Sequence, residues 1–171
     1  MSEDLLQKLF SEPFMFIGYF SGPILFVGIS SYFLYYQMFF WFLIYIIFYL
    51  INIWIILTLQ KFWKDPRPIN GIEFMKDEFK NKDVYGMPSG HTQTVFFSLV
   101  FFYMKSNSIV SFILMLFIAL CTMLQRYLYR KHTIMQIIVG GIIGSIYGYF
   151  TYLCINHYKK NGYLIYNNVS K

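Results

Sequence analysis

Residues 85–93, with the sequence Tyr-Gly-Met-Pro-Ser-Gly-His-Thr-Gln, join a polar, basic loop to a long apolar run. Pro88 suits the first turn of a helix, where its missing N–H would have no partner. Ser89 and Gly90 leave room for a small anion near the free N–H groups of that turn, and the helix dipole favours negative charge there. His91 can give or take a proton near neutral pH. These residue types predict a phosphate site with a proton donor beside it; the alternative is an ordinary loop-to-helix junction with a surface histidine.

Two further polar stretches contain the cations that such a site needs. Residues 60–68 carry Lys61, Lys64 and Arg67, and residues 126–132 carry three more cations and a histidine. Lysine and arginine at a membrane boundary also extend to water without any function. If both stretches meet the helix N-terminus, cations and N–H groups can hold a phosphoryl group. One histidine could then attack phosphorus while the other protonates the leaving oxygen.

The predicted last helix carries a stripe of polar and small residues at every fourth position. His132 and Gln136 begin the stripe, and Gly140, Gly144 and Gly148 continue it. Glycines at this spacing let a second helix approach closely, so we expect the stripe to face the bundle and not lipid. The Gln136 side chain can then accept a hydrogen bond from one ring nitrogen of His132, which leaves the other nitrogen free to attack.

Membrane helices must position these residues. Hydrophobic residues make up 57% of the chain and charged residues only 13%, and no Asp, Glu, Lys or Arg occurs between Pro13 and Gln60. Such long apolar runs predict membrane spans, and this first run has the length of two. The predicted fold class is all-α, a polytopic membrane helix bundle with five transmembrane helices, or six if Gly22 and Pro23 break the first. The predicted spans are residues 14–35, 38–59, 89–104, 107–125 and 133–156.

The charge distribution favours a membrane partner. A net charge of +6 is compatible with nucleic acid, but the basic residues cluster in loops that border apolar helices. The lipid bilayer and an anionic headgroup are therefore the expected partners, with no nucleic acid and no metal. Around the membrane-embedded residues 13–158, we expect an amphipathic N-terminal segment at residues 1–12 and a polar C-terminal tail at residues 159–171.

Three residues inside the predicted spans are interpreted as packing residues. Cys121 and Cys154 lie where a thiol packs as a small apolar group, so we expect neither a disulfide nor a metal site. Asn52, inside the second span, is expected to hydrogen-bond to a neighbouring helix, as polar residues in membrane helices often do.

Three short motifs resemble those of a known family. Arg67-Pro68, Pro88-Ser-Gly-His91 and Arg126-x5-His132 are similar, in order and internal spacing, to the signature motifs of the type-2 phosphatidic acid phosphatase/haloperoxidase superfamily. The resemblance covers residues 60–136. It implies a helical membrane bundle that hydrolyses lipid phosphates through a phosphohistidine, without a metal or other cofactor, and it would make residues 13–158 a lipid phosphatase domain.

The resemblance also implies a role for individual residues. It makes His132 the nucleophile and His91 the general acid. The phosphate ligands that it implies are Arg67, Arg126, Ser89 and Gly90.

Two positions depart from the family's pattern. The family's first motif begins with a lysine seven residues before the arginine, where this chain has Gln60. Lys61 or Lys64 could reach the phosphate in its place. The family usually has an aspartate four residues after the nucleophile, where this chain has Gln136; an amide orients an imidazole but does not stabilise its cation as a carboxylate would.

Gln136, the second departure, matches the sequence pattern of one branch of the family. Residues 85–93 and 127–136 are similar to the dolichyl diphosphatase branch, which also reads His-Thr-x-x-Gln. That resemblance implies hydrolysis of a polyprenyl (dolichyl) diphosphate to the monophosphate, in support of protein N-glycosylation. The alternatives are a phosphatase for phosphatidate, lysophosphatidate or diacylglycerol pyrophosphate, an inactive family member that binds headgroups, and a channel or structural membrane protein.

Two arguments about membrane orientation disagree. With five spans, ten Lys and Arg residues lie on the side of the motifs and four on the other side. The positive-inside rule then places the motifs in the cytoplasm. The branch resemblance implies an integral protein of the endoplasmic reticulum membrane with its active site facing the lumen. We favour the lumen, because several of the counted cations would belong to the active site.

Overall fold

The computed structural model describes residues 12–75 and 85–160, which form an all-helical bundle. An isolated bridge between Pro66 and Tyr85 is the only β pairing within those ranges, so the all-α prediction is confirmed. The helices are α1 Pro13–Tyr35, α2 Phe39–Trp63, α3 Gly90–Ser106, α4 Ile109–Leu128 and α5 Ile134–Lys160.

Four of these helices have the length and apolar composition of membrane spans, namely α1, α2, α4 and α5. The chain is therefore an integral membrane protein. Helix α3 has 17 residues, which gives it a length of about 26 Å. Within residues 12–75 and 85–160 there is no sixth helix, and Pro23 lies inside a continuous α1. The predicted amphipathic segment and C-terminal tail fall almost wholly outside the described residues.

Helix α3 lies at the centre of the bundle and touches the other four helices, with its largest contact on α5. The glycine stripe of α5 makes this contact possible. A Cβ atom at Gly140 would lie 2.7 Å from the carbonyl oxygen of Ser89, and one at Gly144 would lie closer still to the carbonyl oxygen of Gln93. The predicted inward orientation of the stripe is confirmed.

Polar side chains tie α2 to α3 inside the bundle. The Asn52 amide donates to the hydroxyl of Thr94 at 3.2 Å and accepts from the amide of Gln93 at 2.9 Å. All three side chains are buried. The expected interhelical hydrogen bond of Asn52 is confirmed, and it holds the first turns of α3 against α2. Cys121 and Cys154 are free thiols.

The start of α3 differs from the sequence prediction. Pro88 was expected in the first turn, but the helix begins at Gly90 with Ser89 as its N-cap residue. The Met87–Pro88 peptide bond is cis. The Ser89 N–H donates to the carbonyl oxygen of Gln136 at 2.9 Å, and the Pro88 carbonyl accepts from Gln60. These tertiary hydrogen bonds hold Ser89 in an extended conformation and delay the helix.

Candidate active site

His132 lies in the turn between α4 and α5 and is 3% exposed. Its Nδ1 lies 2.9 Å from the carbonyl oxygen of Gly86 and 3.1 Å from Oε1 of Gln136. Both partners are acceptors, so Nδ1 must carry the ring proton. The other nitrogen, Nε2, keeps its lone pair and lies 3.3 Å from Nη1 of Arg67.

The neighbours of Gln136 determine which way its amide points. Oε1 accepts from the backbone N–H of Thr133 at 3.2 Å, while Nε2 donates to Oδ2 of Asp65 at 2.7 Å and to the carbonyl oxygen of Pro66 at 2.9 Å. A backbone N–H can only donate, and a carboxylate or carbonyl oxygen can only accept. The amide therefore has one consistent orientation, and it requires the Nδ1–H tautomer of His132.

The charge of His132 is set by its surroundings. Burial, followed by the positive charges of Arg67 and Arg126, lowers its pKa from 6.5 to about 3. Burial disfavours the charged ring, and each guanidinium repels a second positive charge. The imidazole is therefore neutral near pH 7, which is the state that a nitrogen nucleophile requires.

The α3 N-terminus lies beside this turn. Ser89 is fully buried, and its hydroxyl lies 3.0 Å from that of Thr92. Gly90 opens the helix, and His91 follows it as a half-buried residue. The hydrogen bond from the Ser89 N–H to Gln136 joins this helix end to the start of α5. A helix N-terminus is a favourable site for an anion.

Arg126 and His91 share a neighbour, Tyr19, that the motifs do not include. Arg126 is 1% exposed, and its Cζ lies 5.2 Å from the ring centroid of Tyr19 on α1, within cation–π range. The same tyrosine ring lies 6.3 Å from the ring of His91. Sequence reasoning missed Tyr19, because nothing in an apolar, aromatic helix marks one tyrosine among many.

Gln60, which stands where the family has lysine, makes a hydrogen bond that supports a loop. Its side chain is 5% exposed, and its amide donates to the carbonyl oxygen of Pro88 at 2.9 Å. Gln60 therefore braces the loop that leads to Ser89. Lys61 and Lys64 are both exposed, and their proposed contact with phosphate stays a prediction.

Two other residues were missed by sequence reasoning. Lys131 is 1% exposed, and its carbonyl oxygen accepts from Nη1 of Arg67 at 3.5 Å. A lysine is almost never fully buried unless its charge is paired. Its place next to His132 was the available signal, but we interpreted it as part of a boundary cluster. Asp65 carried no signal, because its contact joins a loop to the first turn of α5, 71 positions further along the chain.

A comparison with protein families finds a match over most of the chain. The sequence profile described as the PAP2 superfamily matches residues 40–160. The matched range contains α3 to α5, all of α2 except Phe39, and every motif residue, whereas Tyr19 lies outside it. No curated protein and no solved structure matches the chain significantly.

Proposed function

We propose that this chain, which belongs to the PAP2 superfamily, removes the terminal phosphate of a polyprenyl (dolichyl) diphosphate and releases the monophosphate and inorganic phosphate. Family membership makes it a phosphatase of the lipid-phosphate type, and its apolar helices place it in the membrane. The observation that carries the mechanism is the lone pair of His132 Nε2 beside the guanidinium of Arg67.

In the first step, His132 Nε2 attacks the terminal phosphorus atom. The bond from phosphorus to the bridging oxygen breaks, its electron pair stays with that oxygen, and the lipid monophosphate leaves after accepting a proton from His91. In the second step, water attacks the phosphohistidine while His91 takes a proton from it. The P–N bond breaks, its electron pair returns to Nε2, and inorganic phosphate leaves.

The cations around His132 stabilise the phosphoryl oxygens. Arg67 and Arg126 are the cations whose charges act on His132. The N-terminus of α3 adds the Gly90 N–H and the Ser89 hydroxyl, whereas the Ser89 N–H is bonded to the Gln136 carbonyl. Lys131 is buried next to His132 in the chain, and we propose it as the lysine that takes the place of the family lysine at position 60. Metal-independent hydrolysis follows from this set, since the oxygen charges are held by the chain's own donors.

The choice of a polyprenyl diphosphate rests on the branch resemblance of residues 85–93 and 127–136. Gln136 is its most distinctive residue, because it replaces the aspartate of the general family pattern. The same resemblance supports a place in the endoplasmic reticulum membrane, with the active site facing the lumen and the product returned to the carrier pool for protein N-glycosylation.

The test is turnover by the purified full chain in detergent with EDTA present. We expect phosphate release from a polyprenyl diphosphate to exceed release from phosphatidate, lysophosphatidate and diacylglycerol pyrophosphate. His132→Ala should abolish it, and acid-labile phosphate should be trapped on His132 of the wild type. Activity that survives His132→Ala would refute the assigned nucleophile. A preference for phosphatidate would keep the mechanism and overturn the substrate.

A further inference from the structure

We propose that Asp65 is a positioning residue whose carboxylate acts on His132 through the side-chain amide of Gln136. The inference rests on the proposed role of His132 as nucleophile. It assigns a function to a residue that lies between Gln60 and Arg67 without being one of the motif residues. It also explains how a chain with glutamine at position 136 can do without a carboxylate there.

The contacts form a continuous line of three side chains. Oδ2 of Asp65 accepts from Nε2 of Gln136 at 2.7 Å, and Oε1 of Gln136 accepts from Nδ1 of His132 at 3.1 Å. The first bond is short because its acceptor is charged. Gln136 is fully buried, so water does not compete for its amide. A chain of hydrogen bonds in such surroundings polarises along its length.

The direction of this polarisation suits the proposed reaction. Formation of the phosphohistidine places positive charge on the imidazole ring and makes Nδ1–H a stronger donor. A carboxylate hydrogen-bonded to the Gln136 amide makes Oε1 a better acceptor, so the bond strengthens as the charge appears. Asp65 thereby helps to stabilise the transition state through the Gln136 amide, whereas a carboxylate at position 136 would act on His132 directly.

A second contact holds the same segment without using the Asp65 side chain. The Gly86 N–H donates to the carbonyl oxygen of Asp65 at 2.7 Å, and the Gly86 carbonyl accepts from Nδ1 of His132 at 2.9 Å. A Cβ atom at Gly86 would lie 2.5 Å from Oε1 of Gln136. Because these contacts use the backbone, a change confined to the Asp65 carboxylate leaves them in place.

Asp65→Asn tests charge separately from geometry, because the asparagine oxygen can still accept from Gln136. We expect kcat to fall about 10- to 100-fold, as for the loss of a hydrogen bond to a charged group, with KM within about twofold. Glu12→Gln is the matched control. Glu12 accepts a hydrogen bond from the hydroxyl of Tyr129, which lies in the same turn as His132, but Glu12 does not touch His132. An unchanged kcat in Asp65→Asn overturns the proposal.

A charge exchange gives a second and sharper result. Gln136→Glu alone places two carboxylates side by side and removes the donor to Pro66, so turnover should be lost. In Asp65→Asn/Gln136→Glu, the asparagine amide can donate to the new carboxylate, which then meets His132 directly. We expect at least tenfold more turnover from the double variant than from Gln136→Glu. Additive losses would show that the two side chains act independently, which would overturn the proposal.

A spectroscopic measurement decides the question independently of lipid turnover. The chain has three histidines, so ring-15N labelling in micelles gives few signals. Asp65→Asn should move the Nδ1–H proton of His132 upfield, while the exposed His157 stays in place as a reference. No movement refutes the link whether or not the wild type is active. Movement together with a wild type that hydrolyses no lipid phosphate would instead refute the proposed function.

Discussion

His132 donates its ring proton to Gly86 and Gln136 and presents its free nitrogen to Arg67. The arginines that make this ring hard to protonate are also the groups that favour an incoming phosphate. In the proposed reaction, the negative charge of a bound phosphate offsets theirs, so the ring becomes more basic as the substrate binds. At the scale of single residues, the proposal therefore gives one set of charges two roles, binding and activation.

The low pKa of His132 predicts how stability depends on pH. The pKa is about 3 in the folded chain against 6.5 in the unfolded chain. Between those values the unfolded chain binds a proton that the folded chain does not, so stability falls as pH falls from 6.5 towards 3. At pH 4.5, two units below 6.5, the loss is about 2 to 3 kcal/mol.

Thermal melts of the detergent-solubilised chain at pH 7.5 and pH 4.5 measure this loss. We expect a smaller drop in Tm for His132→Asn than for the wild type, because asparagine does not titrate. His157 is exposed in the last turns of α5. The Tm of His157→Asn should therefore drop by as much as the Tm of the wild type. Equal drops in all three proteins would show that His132 is not kept neutral by the fold.

At the scale of helices, the packing of α5 on α3 assembles the site. The glycines of α5 let its backbone approach the backbone of α3 at Ser89 and Gln93. That approach places the Gln136 carbonyl within 2.9 Å of the Ser89 N–H. The distance between the N-terminus of α3 and His132 is thus controlled by glycines along α5 that lie outside the proposed active site.

Gly144→Ala tests whether the close packing of α5 on α3 determines the geometry of the site. Its Cβ would collide with the Gln93 backbone, which is too rigid to move alone, so the two helices must separate. Overpacking of this kind costs about 1–3 kcal/mol. We expect a lower Tm and at least a tenfold loss of kcat/KM.

Gly28→Ala on α1 is the matched control, because a Cβ there would meet nothing within 4 Å. Alanine also has the better helix propensity. Its Tm and turnover should equal or exceed those of the wild type. If Gly144→Ala behaves like Gly28→Ala, the close approach of α5 to α3 does not control the site.

At the scale of the whole molecule, all three motif loops lie at one end of the bundle. Gln60 bonds to Pro88, Ser89 to Gln136, and Arg67 to His132. Lys105, in the last turn of α3, lies 5.0 Å from the ring centroid of Trp41, near the start of α2 and at the opposite end. Helix α3 therefore runs the length of the bundle, which supports the proposal that it is the fifth membrane crossing.

Labelling of single cysteines tests this topology, in a chain whose Cys121 and Cys154 are replaced by serine. All three labelled positions are exposed. We expect Lys64→Cys and Arg130→Cys to lie on the same side of sealed microsomes and Asn107→Cys to lie on the other side. A membrane-impermeant maleimide should label Asn107→Cys directly, and should label the other two variants only after permeabilisation.

Two outcomes would contradict the expected topology. Labelling of Lys64→Cys in intact microsomes would place the site in the cytoplasm, as the positive-inside rule predicts. Different accessibility at positions 64 and 130 would divide the motifs between two sides of the membrane, and a single active site could not then exist.

The sequence by itself determined the helices, the motif residues and the face of α5 that packs inward. Membrane spans need about 20 apolar residues with internally paired backbones, and close helix contacts need small residues at regular spacing. Both requirements leave periodic, local patterns. The paired polar contact of Asn52 was predictable for the same reason, because a polar group inside a span must find a partner.

Only the tertiary structure decided what surrounds His132. The bond from Gln136 to Asp65, the position of Tyr19 beside Arg126 and the use of Gln60 as a brace all join distant segments. Such contacts depend on how loops and helix ends meet in space, and they leave no periodic pattern along the chain. The late start of α3 has the same origin, because tertiary hydrogen bonds outweighed the local preference of proline for a first helical turn.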